Sequence, residues 1–429
     1  MLDLLERKQI IALMQREVVP AIGCTEPVAV ALCVAKATET LGTLPEHISL
    51  YLSANILKNA MGVGIPGTGM IGLPIATALG ALIGKSEYQL EVLKDSCPEA
   101  VEKGKAYIAE KRISISLKEN ITEKLYIEAV CEAAGHKAVA VISGGHTRFV
   151  YVEKDGNVLL DKQGGTQTGE SDSDVQLCLR KVYDFAMTAP LEEIEFILEA
   201  MRLNKAAAEY SLKGEYGHGI GKMMCSNQER EIMGNSIYSR ILSYTSAACD
   251  ARMGGAMVPV MSNSGSGNQG ITATLPVVVF AEENHKNHEE LVRALTLSHL
   301  TVIYIKQSLG RLSALCGCVV AATGSACGIT YLMGGSYEQI VYAVKNMVAN
   351  LTGMLCDGAK PSCAMKLATG VSTAVISAMM AMQQRFVTSV EGIIDDDVDK
   401  CIRNMTRIGS VGMNETDKVV LDIMTHKGC

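Results

Sequence analysis

The chain has 429 residues, 48% of them hydrophobic, with no Trp, five Phe and a formal net charge of −7. That length holds two or three domains and a large core, and an acidic balance without basic patches or stacking aromatics excludes a nucleic-acid partner. Fourteen cysteines, in a chain that opens on an amphipathic helix rather than a signal peptide, imply the reducing cytoplasm, where cysteine serves as ligand or catalyst more often than as disulfide.

The first predicted helix, about residues 3–16, leads into AIGCTEPVAVALC. Cys24 stands just ahead of Thr25, a suitable N-cap, with Pro27 tolerated in the first turn. A helix N-terminus stabilises a thiolate or a carboxylate, although a cysteine in a tight turn before a helix would read the same way. HISLYLSANILKNA begins with strand-like alternation and continues into GVGIPGTG. That loop lacks the Walker GK[ST] and the full GxGxxG spacing, which leaves a tight turn or a nest of N–H groups receiving a carboxylate. Lys58 and Asn59, just ahead of it, are expected to face the same pocket.

From about residue 112 to 162 the periodicity changes to two. ISISL, KLYIEAVCEA, HKAVAVIS, TRFVYVEKDG and NVLLDK read as strands of a small α/β unit with an antiparallel sheet, and EKDGN as a hairpin turn. SGGHTR sets His146 at a strand junction, as a pH-active group or a satisfied structural one. GGTQTGESDSD, residues 164–174, reads as the linker out of this unit.

After residue 191 helical spacing prevails, with helices expected near 191–207, 228–251, 270–280, 288–309, 337–351, 364–385 and 395–407. Three polar glycine loops interrupt them: GEYGHGIGK, SNSGSGNQG and CDGAKPSC. Unpaired buried backbone is costly, and a ligand accepting from those N–H groups would account for the loops. Ser262, Asn263, Ser264 and Asn268 suit the carboxylate and amine of an amino acid. Uncharged runs at 61–84, 253–281, 312–337 and 367–384 are long enough to span a membrane. Polar and glycine-rich breaks, and flanking charges without sidedness, favour buried helices of a soluble protein over a broken-helix transporter.

Five cysteines fall between residues 315 and 366: Cys316, Cys318, Cys327, Cys356 and Cys363. Cys316 and Cys356 each end an apolar helix at a glycine break, which suits a metal or cluster ligand. Cys327, within GSACG, reads as packing. The spacing is neither a paired CxxC zinc pattern nor a ferredoxin run.

In combination AIGCTEP, SANILKNAMGVGIPGT, ISGGHTRFVYVEKDG, SNSGSGNQG, RLSALCG and GMLCDGAKPSCAMK resemble the L-cysteine desulfidase family, related to the α-chain of iron–sulfur L-serine dehydratases. The resemblance covers nearly the whole chain. It implies an oxygen-sensitive [4Fe–4S] enzyme, without pyridoxal phosphate, that converts L-cysteine to pyruvate, ammonia and hydrogen sulfide. The family's cluster ligands map onto Cys24, Cys316 and Cys356. Cys363 matches a further cysteine of the dehydratases, whose first cysteine aligns as well to Cys318 as to Cys316. Three thiolates leave one iron open as Lewis acid for the departing sulfur, while a base takes the α-proton. Lys58, His146 and Lys306 are the candidates. L-serine dehydratase is the alternative, with hydroxide leaving instead; a broken-helix transporter stands third and a metal-free amino-acid-binding or structural protein last.

The expected fold is mainly α (α+β): a helical cluster-binding domain from residues 1–45 and 191–429, with an α/β unit inserted at 46–190. A small-molecule substrate, no membrane and a homodimer complete the expectation. Cys33, Cys131, Cys178 and Cys249 read as packing residues, and the terminal Cys429 as a frayed end or a cap on the open iron.

Overall fold

The computed structural model describes residues 3–119, 121, 123–162, 175–226, 230–310 and 312–426. The expected linker at 164–174 and Cys429 lie outside the described residues. The fold is mainly helical, with one small mixed sheet and a two-stranded ribbon.

The strands are β1 (Pro20–Ile22), β2 (His47–Leu52), β3 (Ile113–Leu117), β4 (Tyr126–Ala133), β5 (His136–Ser143), β6 (Phe149–Lys154), β7 (Asn157–Asp161) and β8 (Pro259–Met261). Six of them form a sheet in the order β3-β2-β4-β5-β6-β7. The β4–β5 and β6–β7 hairpins turn through Ala134-Gly135 and Asp155-Gly156, all with positive φ, as two-residue turns that match strand twist require. The alternation in the sequence suggests an antiparallel sheet, but β2 and β3 are parallel. The chain between them runs through helices Ala54–Ala60, Leu73–Leu82 and Pro98–Ala109, and only such a long crossover returns a strand in the same direction.

The Thr25–Leu41 helix lies on one face of this sheet and shares a core with Ile48, Leu50, Ile127 and Ala140. Cys33 sits inside that contact, its thiol donating to the Ala140 carbonyl at 3.2 Å. Residues before this helix pack elsewhere. Ile10, Leu13, Met14 and Cys24 join the larger core built by the helices after Leu177. In packing terms the N-terminal segment therefore divides at Cys24. The helix beyond is apolar on every side, so its own periodicity could not say which core it would join.

The larger core surrounds the Gly317–Leu332 helix, an uncharged segment flanked by His288–Leu309, Tyr337–Leu351 and Cys363–Met382. Helices 288–309 and 337–351 fall where the apolar spacing put them. Close approach is bought with glycine: a Cβ on Gly324 would lie 2.4 Å from the Ser298 carbonyl oxygen. Among the described residues only the Cys363–Met382 helix is long and apolar enough to cross a membrane, and 61% of its apolar window is buried.

A short antiparallel ribbon joins the chain's beginning to its middle. Pro20 pairs with Met261 and Ile22 with Pro259. Cys24 therefore leaves one end of the ribbon, and the SNSGSGNQG loop leaves the other.

Candidate active site

Cys316 and Cys356 are set side by side by backbone. A bridge pairs Leu315 with Leu355; Cys316 N donates to Met354 O at 2.9 Å, and Cys356 N to Ala314 O at 2.7 Å. Cys316 then caps the Gly317–Leu332 helix. Past Cys356 the chain turns at Gly358, where φ is +90° and a Cβ would fall 2.2 Å from the Lys58 carbonyl oxygen. Cys24 occupies the N-cap of Thr25–Leu41. Cys24 lies more than 290 residues before the other two in the chain, and the three sulfurs line one cavity of about 110 Å³.

Of the residues singled out in the sequence, Cys24, Cys316, Cys318, Cys356, Cys363, Asn59, His146, Ser264, Asn268 and Lys306 line this cavity. Lys58, Ser262 and Asn263 do not. Lys58 points away into an ion pair with Asp417 at 2.5 Å and donates to Cys356 O at 3.3 Å, so it buttresses the loop. Ser262 donates to Val19 O at 2.6 Å, beside the ribbon. Asn263 is fully buried and spends its amide on His299 Nδ1 and His299 O, both at 3.1 Å.

Two of the glycine loops likewise serve the scaffold. In GVGIPGTG the N–H groups of Gly64 and Gly67 donate to Met253 O and Gly255 O, making a joint rather than an anion nest. In GEYGHGIGK the backbone acceptor is the buried Asp250 carboxylate, which receives Gly221 N at 3.0 Å and His218 N at 3.3 Å. No ligand is needed to account for either.

Several cavity residues carried no signal in the sequence beyond a motif or a boundary: Glu26, Arg252, Gln269 and Lys366. Glu26 accepts from Cys24 Sγ at 3.0 Å and from Asn59 Nδ2 at 3.2 Å. Arg252 closes the Ile237–Met253 helix just before an uncharged run, and its Nη1 donates to Asn268 Oδ1 at 3.0 Å. Lys366 donates to Leu355 O at 2.7 Å and pairs with Asp357.

Burial dominates the thiols. It pushes Cys24 well above the ordinary range, with the Glu26 carboxylate adding to it, and takes Cys356 to about 11, with Cys316 next in effect. Cys316 goes the other way, to about 7, because the neighbouring Cys318 thiol favours its ionised form and Lys366 and Lys360 add positive charge. Cys318 is raised in turn, and its thiol also reaches Lys366 O at 3.0 Å. Burial pushes the Asp357 carboxyl up, but the Lys360 and Lys366 ammoniums outweigh it and hold it at about 2.

Sulfurs that burial makes costly to ionise gain most from an electrophile that replaces their protons. Among the described residues no three His, Cys, Asp or Glu side chains are arranged to hold a single metal ion. An iron–sulfur cluster takes one thiolate on each of several irons, and the cysteines lining the cavity are of that donor type. Cys24, Cys316 and Cys356 would hold it.

The family model of the serine dehydratase alpha chain matches residues 87–422. The chain belongs to that family. Full-length relatives extend the likeness to both ends. A UPF0597 protein of Bacteroides fragilis is 76% identical over 424 residues, covering 99% of each chain. Another, of Porphyromonas gingivalis, is 56% identical, covering 99% of this chain and 100% of its own. A third, of Oleidesulfovibrio alaskensis, is 47% identical, covering 98% and 99%. A serine dehydratase alpha chain family is one of lyases of the iron–sulfur type, acting on small molecules. The matched segment takes in Cys316, Cys318, Cys356 and Cys363 but begins after Cys24.

Proposed function

We propose that this member of the serine dehydratase alpha chain family is an L-cysteine desulfidase, releasing pyruvate, ammonia and hydrogen sulfide by β-elimination, with a [4Fe–4S] cluster on Cys24, Cys316 and Cys356. One observation carries the reading: Cys24, outside the segment that matches the dehydratase alpha chain, reaches the same cavity as Cys316 and Cys356. When bound, the cluster supplies an open Lewis-acidic iron for the leaving sulfur.

The chain's own residues do the rest. Cys316, at the lowered value of about 7, is the thiol most ready to become a ligand. Glu26 accepts from Asn59 and fixes its orientation; the bond that it takes from the Cys24 thiol is given up when that sulfur loses its proton to become a ligand. Leu312, Leu315 and Leu367 close the apolar side of the cavity and keep water from the reacting carbon. His146 and Lys306 stand at its wall as the groups to take the α-proton; Lys58, held by Asp417, is a support. Loss of the α-proton and the β-sulfur leaves aminoacrylate, whose imine form water hydrolyses to pyruvate and ammonium.

The second reading, L-serine dehydratase, is favoured by the family match itself. Anaerobically purified protein decides between them. The expected result is brown protein with iron and acid-labile sulfide in near-equal amounts, and faster pyruvate formation from L-cysteine than from L-serine. Equal or faster turnover of serine moves the protein to the dehydratase reading.

A further inference from the structure

Among the buried polar atoms at the cavity without a hydrogen-bond partner are Arg252 Nε and Gln269 Oε1. Arg252 is 3% exposed and Gln269 4%, and both side chains line the cavity. Arg252 bonds only to a neutral acceptor, Asn268, and among the described residues it makes no ion pair. A buried guanidinium without an ion-pair partner, and a buried carbonyl oxygen without a donor, are each unfavourable. One ligand carrying an anion and a cationic N–H donor satisfies both.

The backbone around them is shaped for this. The guanidinium lies across Gly267, where a Cβ would fall 2.3 Å from Arg252 Nε. Gly267 opens the 17-residue Gly267–Glu283 helix, whose first turn offers free N–H groups and positive dipole. The Gln269 amide lies against Gly317, where a Cβ would meet its Cδ at 2.9 Å, one residue beyond Cys316. The donor end and the acceptor end therefore flank the way to the thiols.

We propose that Arg252 and Gln269 form a clamp for the α-amino-acid zwitterion. The guanidinium, backed by the helix N-terminus, donates to the carboxylate, and Gln269 Oε1 accepts from the α-ammonium. With both α-substituents held, the β-carbon and its leaving group are directed to the side of the cavity where Cys24, Cys316 and Cys356 lie. The clamp rests on the reading of this cavity as an amino-acid lyase site, and it names the substrate class as small α-amino acids with a free carboxylate and a primary amine.

The test uses the anaerobic holoenzyme and three ligands that cannot eliminate: L-alanine, L-alaninamide and propionate, with binding measured by calorimetry. Wild-type protein is expected to bind L-alanine and reject the other two. Arg252→Gln is expected to weaken L-alanine binding about tenfold or more and to lose discrimination against L-alaninamide. Gln269→Leu is expected to lose discrimination against propionate by a similar factor. Iron content and the unfolding midpoint show that each variant is intact, and if Arg252→Gln fails to fold, Gln269→Leu and the wild-type selectivity decide. Wild-type selectivity in the variants, or equal binding of all three ligands by the wild type, overturns the clamp. Selective binding by a protein that releases no sulfide from cysteine keeps the clamp and sinks the desulfidase. Sulfide release with an unchanged KM in Gln269→Leu does the reverse.

Discussion

His299 is fully buried between two partners whose roles are forced. Thr274 donates its hydroxyl to Gly270 O at 2.6 Å, so at 2.9 Å it accepts from His299 Nε2. Nδ1 then receives the Asn263 amide at 3.1 Å, and the neutral imidazole is satisfied on both sides. Burial holds its pKa at about 3, against about 6.5 in an unfolded chain. Between those values the unfolded state binds the extra proton, so the stability from the neutral ring is complete above pH 6.5 and is lost as pH falls toward 3. The expected slope is up to about 1.4 kcal/mol per pH unit. Denaturant unfolding at pH 6.5 and 5 should show a larger loss for wild type than for His299→Gln, and parallel losses would remove His299 as the cause. The same contact explains why Asn263 was misleading in the sequence. A polar residue in a glycine loop looks alike whether it serves a ligand or a histidine 36 positions on, and only the packing of two helices distinguishes them.

At the scale of elements, the start of the Gly267–Glu283 helix is the most constrained joint near the cavity. A Cβ on Gly270 would lie 1.9 Å from Met261 O, in strand β8. Backbone must move to admit it, so Gly270→Ala should cost at least about 1–3 kcal/mol, read as a lower unfolding midpoint with raised KM for cysteine. A normal midpoint would mean that the ribbon and helix separate more easily than their packing implies. The Asn414–Thr425 helix is held differently, through Asp417 and the 2%-exposed Lys58. Asp417→Asn strands a buried ammonium and should cost about 3 kcal/mol or more, while Lys58→Met with Asp417→Leu should recover most of it. If Lys58 were instead the base, the double variant would be stable and inert, with its iron retained. The six strands of the sheet and the 288–309 and 337–351 helices were legible because one period ran through each, whereas the three-residue strands β1 and β8 are too short to show one. The parallel β2–β3 pair was not, since direction depends on the whole crossover rather than on either strand.

Across the molecule, the ligand set can be tested by subtraction. Serine at Cys24, Cys316 or Cys356 should bleach the protein and end sulfide release, because a hydroxyl ionises too weakly to replace a thiolate. Serine at Cys33 or Cys131, both buried in the sheet's core, should lower stability and leave iron per chain unchanged. Cys318→Ser is the discriminating variant: its thiol already donates to Lys366 O, so iron should stay, and loss of iron there with retention in Cys316→Ser would exchange the two assignments. Sequence motifs brought most of the cavity to notice, Gln269 included through its glycine loop, whereas Arg252 stands out only by its buried Nε without a partner. The β1–β8 ribbon also sets an order of events during synthesis. Cys24 emerges from the ribosome early, the strand that secures its approach follows more than 230 residues later, and Cys356 later still. On the proposed ligand set, a nascent chain carries its first ligand exposed through most of translation, and maturation of the cofactor has to wait for an almost finished polypeptide. Arrested chains ending before residue 314 should accept no iron, however anaerobic the extract in which they are made.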